Sequence, residues 1–306
     1  MAAMRTFTLE PDSEFSLAAA ASFGFGPNTG RPKPDGAEMR LAFVTDDLER
    51  HAGVQLRQRD GGSISGSVDS AADLDVVVEQ VRRILSLDQP GDQWLGVGER
   101  DLVIGRLQRE LPGLRPVLFH SPYEAAAWSI LSARRHRTQA AALRTRISAT
   151  LGRSFRLDGE DVHAFPTPAQ LLGASSIPGV DPARLERLDG VARAALEGRL
   201  DARTLREMPP EAALGELQRL PGVGPTYATL ILLRSTGAAD AMTYAEPRLG
   251  SYVAHLYSLG HPEASREELA QISEGWRPFR TWAAVLIRVA GDRAGLPGSA
   301  FRSGHP

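Results

Sequence analysis

Leu220-Pro221-Gly222-Val223-Gly224-Pro225 constrains this chain more than any other stretch, because it stops one helix and starts another within a few residues. Upstream, Ala213, Leu214, Leu217 and Leu220 recur at helical spacing over Glu211 to Leu220, and Pro221-Gly222 ends the run. Pro225 stands at the first position of the next helix, where its missing N–H costs nothing. An apolar run from Thr226 to Arg234 follows. Gly222 and Gly224 are expected to take positive φ and allow close approach. Successive N–H groups of Gly222, Val223 and Gly224 would then face one phosphate near the positive end of the second helix. Such an element grips a backbone and reads no base, although the same letters also describe a plain turn between packed helices. Downstream, Glu246-Pro247 supplies a carboxylate that raises chemistry beside binding.

The bulk properties narrow the classes. The 306 residues are enough for two ordinary domains, and 42 % apolar with 24 % charged residues is the composition of a globular protein. A formal charge of −2 and a pI near 6.4 argue against a non-specific coat on nucleic acid, so any DNA contact must come from a local patch. Zero cysteines exclude disulfides, thiolate-held zinc and iron–sulfur clusters. The seven histidines are scattered, so no metal and no cofactor is expected. Glu10, Asp12 and Glu14 before the apolar segment Phe15 to Phe23 carry the wrong charge for a signal peptide, and no run reaches membrane-spanning length. The expectation is a cytoplasmic monomer that touches no membrane.

The chain changes character near residue 118. Residues 1–118 read as a small α+β domain, with alternating segments at Met39–Thr45, Val54–Arg59 and Ser63–Val68 and a helix from Ala71 to Leu87. Asp60-Gly61-Gly62 marks a hairpin between two of the strands, and Phe25 to Gly36 reads as a loop. Residues 119–306 read as all-α, helix after helix between breaks at Gly152, Pro166-Thr167-Pro168, Pro178-Gly179, Pro209-Pro210, Gly237, Gly260-His261-Pro262 and Trp276-Arg277-Pro278.

Five segments carry a resemblance. They are Pro122-Tyr123-Glu124-Ala125-Ala126-Ala127-Trp128-Ser129-Ile130-Leu131-Ser132, Phe165-Pro166-Thr167-Pro168, the hairpin itself, Arg234-Ser235-Thr236-Gly237-Ala238-Ala239-Asp240, and Trp276-Arg277-Pro278-Phe279-Arg280-Thr281-Trp282-Ala283-Ala284. In order and spacing they resemble the helix-hairpin-helix DNA glycosylases, and among them the bacterial 3-methyladenine DNA glycosylase II type. The resemblance covers roughly residues 120 to 293 and implies an all-helical glycosylase domain behind a TATA-binding-protein-like α+β domain. The partner it implies is double-stranded DNA containing a damaged base, extruded from the stack so that its glycosidic bond can be reached.

The resemblance also implies roles. A carboxylate that stabilises the sugar cation and orients water falls on Glu246, where the family has aspartate. The added methylene moves the charge by roughly 1.5 Å, and misplacement of about 1 Å can cost a hundredfold in rate. The lysine that bifunctional relatives use to form a Schiff base falls on Thr226, and no lysine lies between Val117 and Pro306, which excludes that chemistry from the helical domain. A family aromatic that lines the base pocket becomes Arg288, and the glutamine that helps fill the duplex gap becomes Ala133. Aromatic candidates for a replacement wall are Tyr123, Trp128, Tyr227, Tyr244, Phe279 and Trp282. Each could equally be a packing residue.

A basic run completes the picture. Arg134, Arg135, His136 and Arg137, with Arg144 and Arg146, have no acid among them and lie where the family approaches the lesion strand, with Arg277 and Arg280 as further cations. Such a run is also what a solvated face looks like. Three readings follow: a monofunctional glycosylase acting on alkylated or otherwise damaged purines, a former glycosylase that only binds damaged DNA, and a helical protein in which the hairpin is only a turn.

Overall fold

The computed structural model describes residues 4–22, 38–242, 246 and 248–296. The first part runs β1 (Arg5–Leu9), α1 (Leu17–Ser22), β2 (Glu38–Val44), β3 (His51–Gln58), β4 (Ile64–Ser70), α2 (Leu74–Ile84), α3 (Gly91–Arg100) and α4 (Leu102–Glu110). Then come α5 (Pro122–Ser132), α6 (Arg137–Leu151), β5 (Arg153–Leu157), β6 (Glu160–Ala164), α7 (Pro168–Leu172), α8 (Pro182–Leu196) and α9 (Ala202–Glu207). The chain continues through α10 (Pro210–Gln218), α11 (Pro225–Ser235), α12 (Leu249–Leu256), α13 (Arg266–Glu274) and α14 (Arg280–Arg293). The segment expected to loop, Phe25 to Gly36, lies outside the described residues.

The antiparallel sheet has the order β1-β4-β3-β2, and its register places Val54 between Leu41 and Val68. These residues are fully or almost fully buried, and they pack on Val77, Val81 and Ile84 of α2. Strand alternation thus meets helical spacing in one core. The turn at Gly61 and Gly62 has positive φ at both positions, which glycine permits without strain.

The helical part begins its elements in a consistent way. Pro122, Pro168, Pro182, Pro210 and Pro225 each open a helix, because a fixed φ suits the first turn and the absent N–H is one that no carbonyl would receive. α5 is apolar around nearly its whole circumference, and ten of its residues are buried. Such a helix belongs in the middle of a core, and α6, α8 and α11 pack around it.

Two features depart from the sequence expectation. The region after residue 119 is not all-α, because Arg153–Leu157 and Glu160–Ala164 pair as a hairpin. Its turn residues Asp158 and Gly159 both have positive φ, as tight hairpins require. Phe155 sits on Gly53 so closely that a Cβ there would lie 2.5 Å from the ring. The bare glycine lets the hairpin cover the outer face of the sheet, with Ala42, Leu157 and Ala164 filling the contact. The packing also crosses position 118. Trp94 of α3 meets Phe279 and Trp282 at ring-centroid distances of 5.9 and 5.7 Å, and Ile104 and Leu107 of α4 share a core with α12 and α14.

A polar junction fastens sheet to bundle. Gln80 of α2 donates to the carbonyls of Val44 and His120, and Arg83 pairs with Asp46 and donates to the same His120 carbonyl. Glu124 of α5 accepts from the Val44 N–H and from Arg144, with His120 Nδ1 at 3.1 Å. Each of these buried side chains is thereby hydrogen-bonded through at least one group, although Arg83 Nε has no acceptor among the described residues.

Candidate active site and nucleic-acid interface

The hairpin has the expected path with two corrections. Gly222 takes φ +86, and a Cβ there would stand 2.9 Å from Arg187 Cδ and 3.2 Å from Ile130 Cδ1. Gly224 has φ −87, which any residue adopts, and a Cβ on it would meet nothing within 4 Å. Its lack of a side chain therefore serves nothing inside the chain, and leaves the backbone open to an approaching group. Val223 does not offer its N–H, which donates to the Leu220 carbonyl at 3.0 Å while its side chain enters the core. Among the described residues, no acceptor takes the N–H of Gly222, Gly224 or Thr226, and Thr226 itself is exposed. These donors lie at the positive end of α11.

An open cleft of about 490 Å³ borders them, lined by Ala133, Arg134, Arg184, Arg187, Gly222, Gly224 and Tyr227. Arg134 follows α5 with φ +56, an uncommon conformation outside glycine, and leaves its side chain exposed. Arg184 donates to the carbonyls of Ile130 and Ala133 at 3.1 Å each, closing the C-terminal end of α5. Arg187 is exposed. The two α8 arginines escaped the sequence reading. Their i,i+3 spacing places them on one face, but nothing local ties that face to a hairpin far downstream.

The other expected cations divide. Arg135 donates to the Gly179 carbonyl and does not line the cleft. Arg137, the first residue of α6, is exposed, and its charge acts on the buried Arg234. Arg144 is a correction: it is buried against Glu124, because a carboxylate on the central helix needs a partner once water is excluded. Arg277 and Arg280 are paired with Glu274 and Asp240, and Asp240 accepts from the first N–H of α14.

Glu246 stands just before α12, and its carbonyl accepts from the Leu249 N–H. Its carboxylate is half-buried and held on both oxygens, by Arg248 Nε at 3.3 Å and by Arg288 Nη1 at 3.1 Å. Asp292 backs both arginines, 2.9 Å from Arg248 Nη1 and 3.7 Å from Arg288 Nη2, and it also accepts from the Tyr252 hydroxyl at 2.7 Å. Tyr252 reaches it across bare Gly291, where a Cβ would be 2.4 Å from the ring. Burial pulls the Arg288 guanidinium below the ordinary arginine value, although Glu246 opposes the shift. Burial, then Arg288, pulls the guanidinium of Arg234 down to about 9, which leaves it charged at neutral pH.

The aromatic candidates mostly belong to the core. Tyr123 is fully buried, with its hydroxyl donated to the Pro166 carbonyl and its ring tilted on Phe165. Trp128 packs in the core around α5, and Trp282 and Phe279 form the cluster with Trp94. They do not line the cleft at the hairpin, because large apolar rings find their burial against neighbouring helices first. Tyr227 alone of the group lines the cleft, within 3.4 Å of Ser132 Oγ. Tyr244 lies outside the described residues. Among the described residues, no group of three or more His, Cys, Asp or Glu side chains could hold a metal ion, and no helix is long and apolar enough to cross a membrane. Gly222, Gly224, Tyr227 and Arg134 thus share one cleft, and Glu246 and Arg288 share a second centre.

The comparisons concern the chain and its fold. No protein-family model matches the chain. It is 21 % identical over 219 residues to a DNA-3-methyladenine glycosylase of Bacillus subtilis, covering 69 % of this chain and 71 % of that one. It is 29 % identical over 220 residues to a probable bifunctional transcriptional activator/DNA repair enzyme AlkA of Mycobacterium tuberculosis, covering 71 % of this chain and 43 % of that protein. The fold superposes on a 3-methyladenine DNA glycosylase from Archaeoglobus fulgidus with a TM-score of 0.73, at 19 % identity, covering 95 % of this chain and all of that one. In sequence the chain is similar to DNA-3-methyladenine glycosylases, and it shares their fold.

Proposed function

We propose that the protein is a monofunctional DNA N-glycosylase that removes alkylated or otherwise damaged purines in base excision repair. The observation that carries this reading is the row of open N–H groups at Gly222, Gly224 and Thr226, set beside Arg134 and Arg187 on a glycosylase fold. Those N–H groups grip one phosphate of double-stranded DNA, while the arginines neutralise its neighbours. Glu246 stabilises positive charge developing at C1′ and accepts a hydrogen bond from the attacking water. The C1′–N bond breaks with its electron pair on the base, and the water oxygen bonds to C1′ as one of its protons passes to solvent, or to the departing base where that base leaves as an anion. Thr226 in place of a lysine makes the reaction hydrolytic, and the four-stranded sheet with α2 is read as the TATA-binding-protein-like domain of such enzymes.

The test is release of free base from methylated and ethenoadenine-containing duplexes by wild type and Glu246→Gln. Wild type should release base and leave an intact abasic strand, with no borohydride-trapped adduct. Glu246→Gln should lose at least about a hundredfold in rate.

The two arginines on Glu246 favour one alternative, a catalytically weak or inactive relative that binds damaged DNA. Tight lesion binding without turnover, unchanged in Glu246→Asp, would support it.

A further inference from the structure

We propose that Arg184 is a positioning residue for DNA binding, holding the turn after α5 so that Arg134 serves the phosphate gripped at the hairpin. The inference rests on the phosphate contact of the proposed function. Arg184 lies in the first turn of α8 and lines the cleft, yet its side chain is only 14 % exposed. All three of its nitrogens donate within the chain. Nε reaches the Ile130 carbonyl and Nη2 the Ala133 carbonyl at 3.1 Å each, and Nη1 lies 3.2 Å from Asp181 Oδ2. A guanidinium engaged on three sides is committed to the protein's own backbone. Its contribution to the cleft is therefore placement.

What it places is a helix end with an unusual exit. The last carbonyls of an α-helix have no partner within the helix, and glycine commonly turns the chain there in left-handed backbone. In α5 that turn falls on Arg134, at φ +56. A residue with a side chain keeps such a conformation where its surroundings fix it. Arg184 fixes the preceding residue through the Ala133 carbonyl, and the Arg135 N–H closes the turn on the Ser132 carbonyl at 3.1 Å. Arg134 is thereby exposed on the same cleft as Gly222, Gly224 and Arg187. The i,i+3 spacing puts Arg184 and Arg187 on one face of α8, so that face supplies one arginine that shapes the cleft and one that charges it. Without Arg184 the turn is released, and Arg134 carries its charge away from the hairpin N–H groups.

The experiment is a double-mutant cycle on duplex affinity over a range of salt concentrations. Wild type, Arg184→Ala, Arg134→Ala and the double variant are compared, each first shown by thermal melting to be folded. Arg184→Ala should weaken binding about fivefold and reduce the slope of log K against log salt by about 1, as Arg134→Ala does. In the Arg134→Ala background the same change should cost less than about twofold, because its effect passes through the missing side chain. Arg184→Lys keeps the charge and most of the stem but offers one nitrogen where three are used, so it should bind as weakly as Arg184→Ala. It also carries the cycle if the alanine variant does not fold. Full affinity in Arg184→Lys, unchanged affinity in folded Arg184→Ala, or equal losses in both backgrounds would overturn the inference, while base release would keep the glycosylase reading intact. Coupled losses in a protein that releases no base from any lesion would uphold the inference and sink the glycosylase reading.

Discussion

Arg144 Nη2 lies 2.6 Å from Glu124 Oε2, and both side chains are buried where the sheet meets the helical bundle. The same carboxylate takes the Val44 N–H and lies against His120. His120, then Arg144, with the backbone bond from Val44, outweigh burial and hold the Glu124 carboxyl down at about 2. This folded value is below the ordinary glutamate value, so the stabilisation is fully present above about pH 4.5 and is lost as pH falls towards 2. Breaking a buried pair by removing one partner costs about 3 to 5 kcal/mol. Urea unfolding should show Glu124→Gln less stable by that order at pH 7, with the gap to wild type narrowing between about pH 4.5 and 2. A gap that stays constant over that range would remove the ion pair from the account.

The two hairpin glycines should separate stability from binding. Gly222→Ala forces a side chain into left-handed backbone and against Arg187 and Ile130, and should lower stability by about 1 to 3 kcal/mol. Gly224→Ala meets neither obstacle, so its melting temperature should stay close to wild type. Its affinity for duplex DNA should nevertheless fall about tenfold, because the new methyl stands where a phosphate oxygen must approach. Unchanged affinity in Gly224→Ala would move the DNA contact away from the hairpin.

Salt dependence can count the phosphates held by the cleft. Arg187 and Arg134 are exposed beside the open N–H groups. Each change to alanine should weaken binding evenly across sequences and reduce the slope of log K against log salt by about 1. Arg144→Ala, by contrast, should show its effect in unfolding and leave that slope unaltered.

Asp292 should act through the arginines. It touches Arg248, Arg288 and Tyr252, and has no contact of its own with Glu246 among the described residues. Asp292→Asn should loosen both guanidinium groups and lower kcat about tenfold, with KM for damaged duplex changed less than about twofold. A change confined to KM would instead place Asp292 in DNA binding.

What the sequence made legible follows local rules. β4 alternates in the ordinary way, β2 and β3 are buried on both faces over four residues each, and the proline-opened helices and the helical hairpin announce themselves by residue type. β5 and β6 carried a readable signal at Asp158-Gly159, which the helical surroundings obscured. The rest depends on partners far along the chain. Arg144 differs from Arg134 only because Glu124 lies beneath it, and Tyr123 differs from Tyr227 only in which helix covers it. Neither difference is written near the residue itself. The candidate Glu246 is read from its position, but its two arginine partners come from the start of α12 and from α14.

The aromatic contact of Trp94 with Phe279 and Trp282 has a consequence for biosynthesis. The indole emerges from the ribosome long before either partner exists, and at ordinary elongation rates it waits roughly ten to forty seconds. During that interval α3 and α4 have each other, but the apolar surface they turn towards α14 is uncovered. The polypeptide closes this part of its interior only when α14 is made, so a nascent chain stalled before α14 should be the species that chaperones hold.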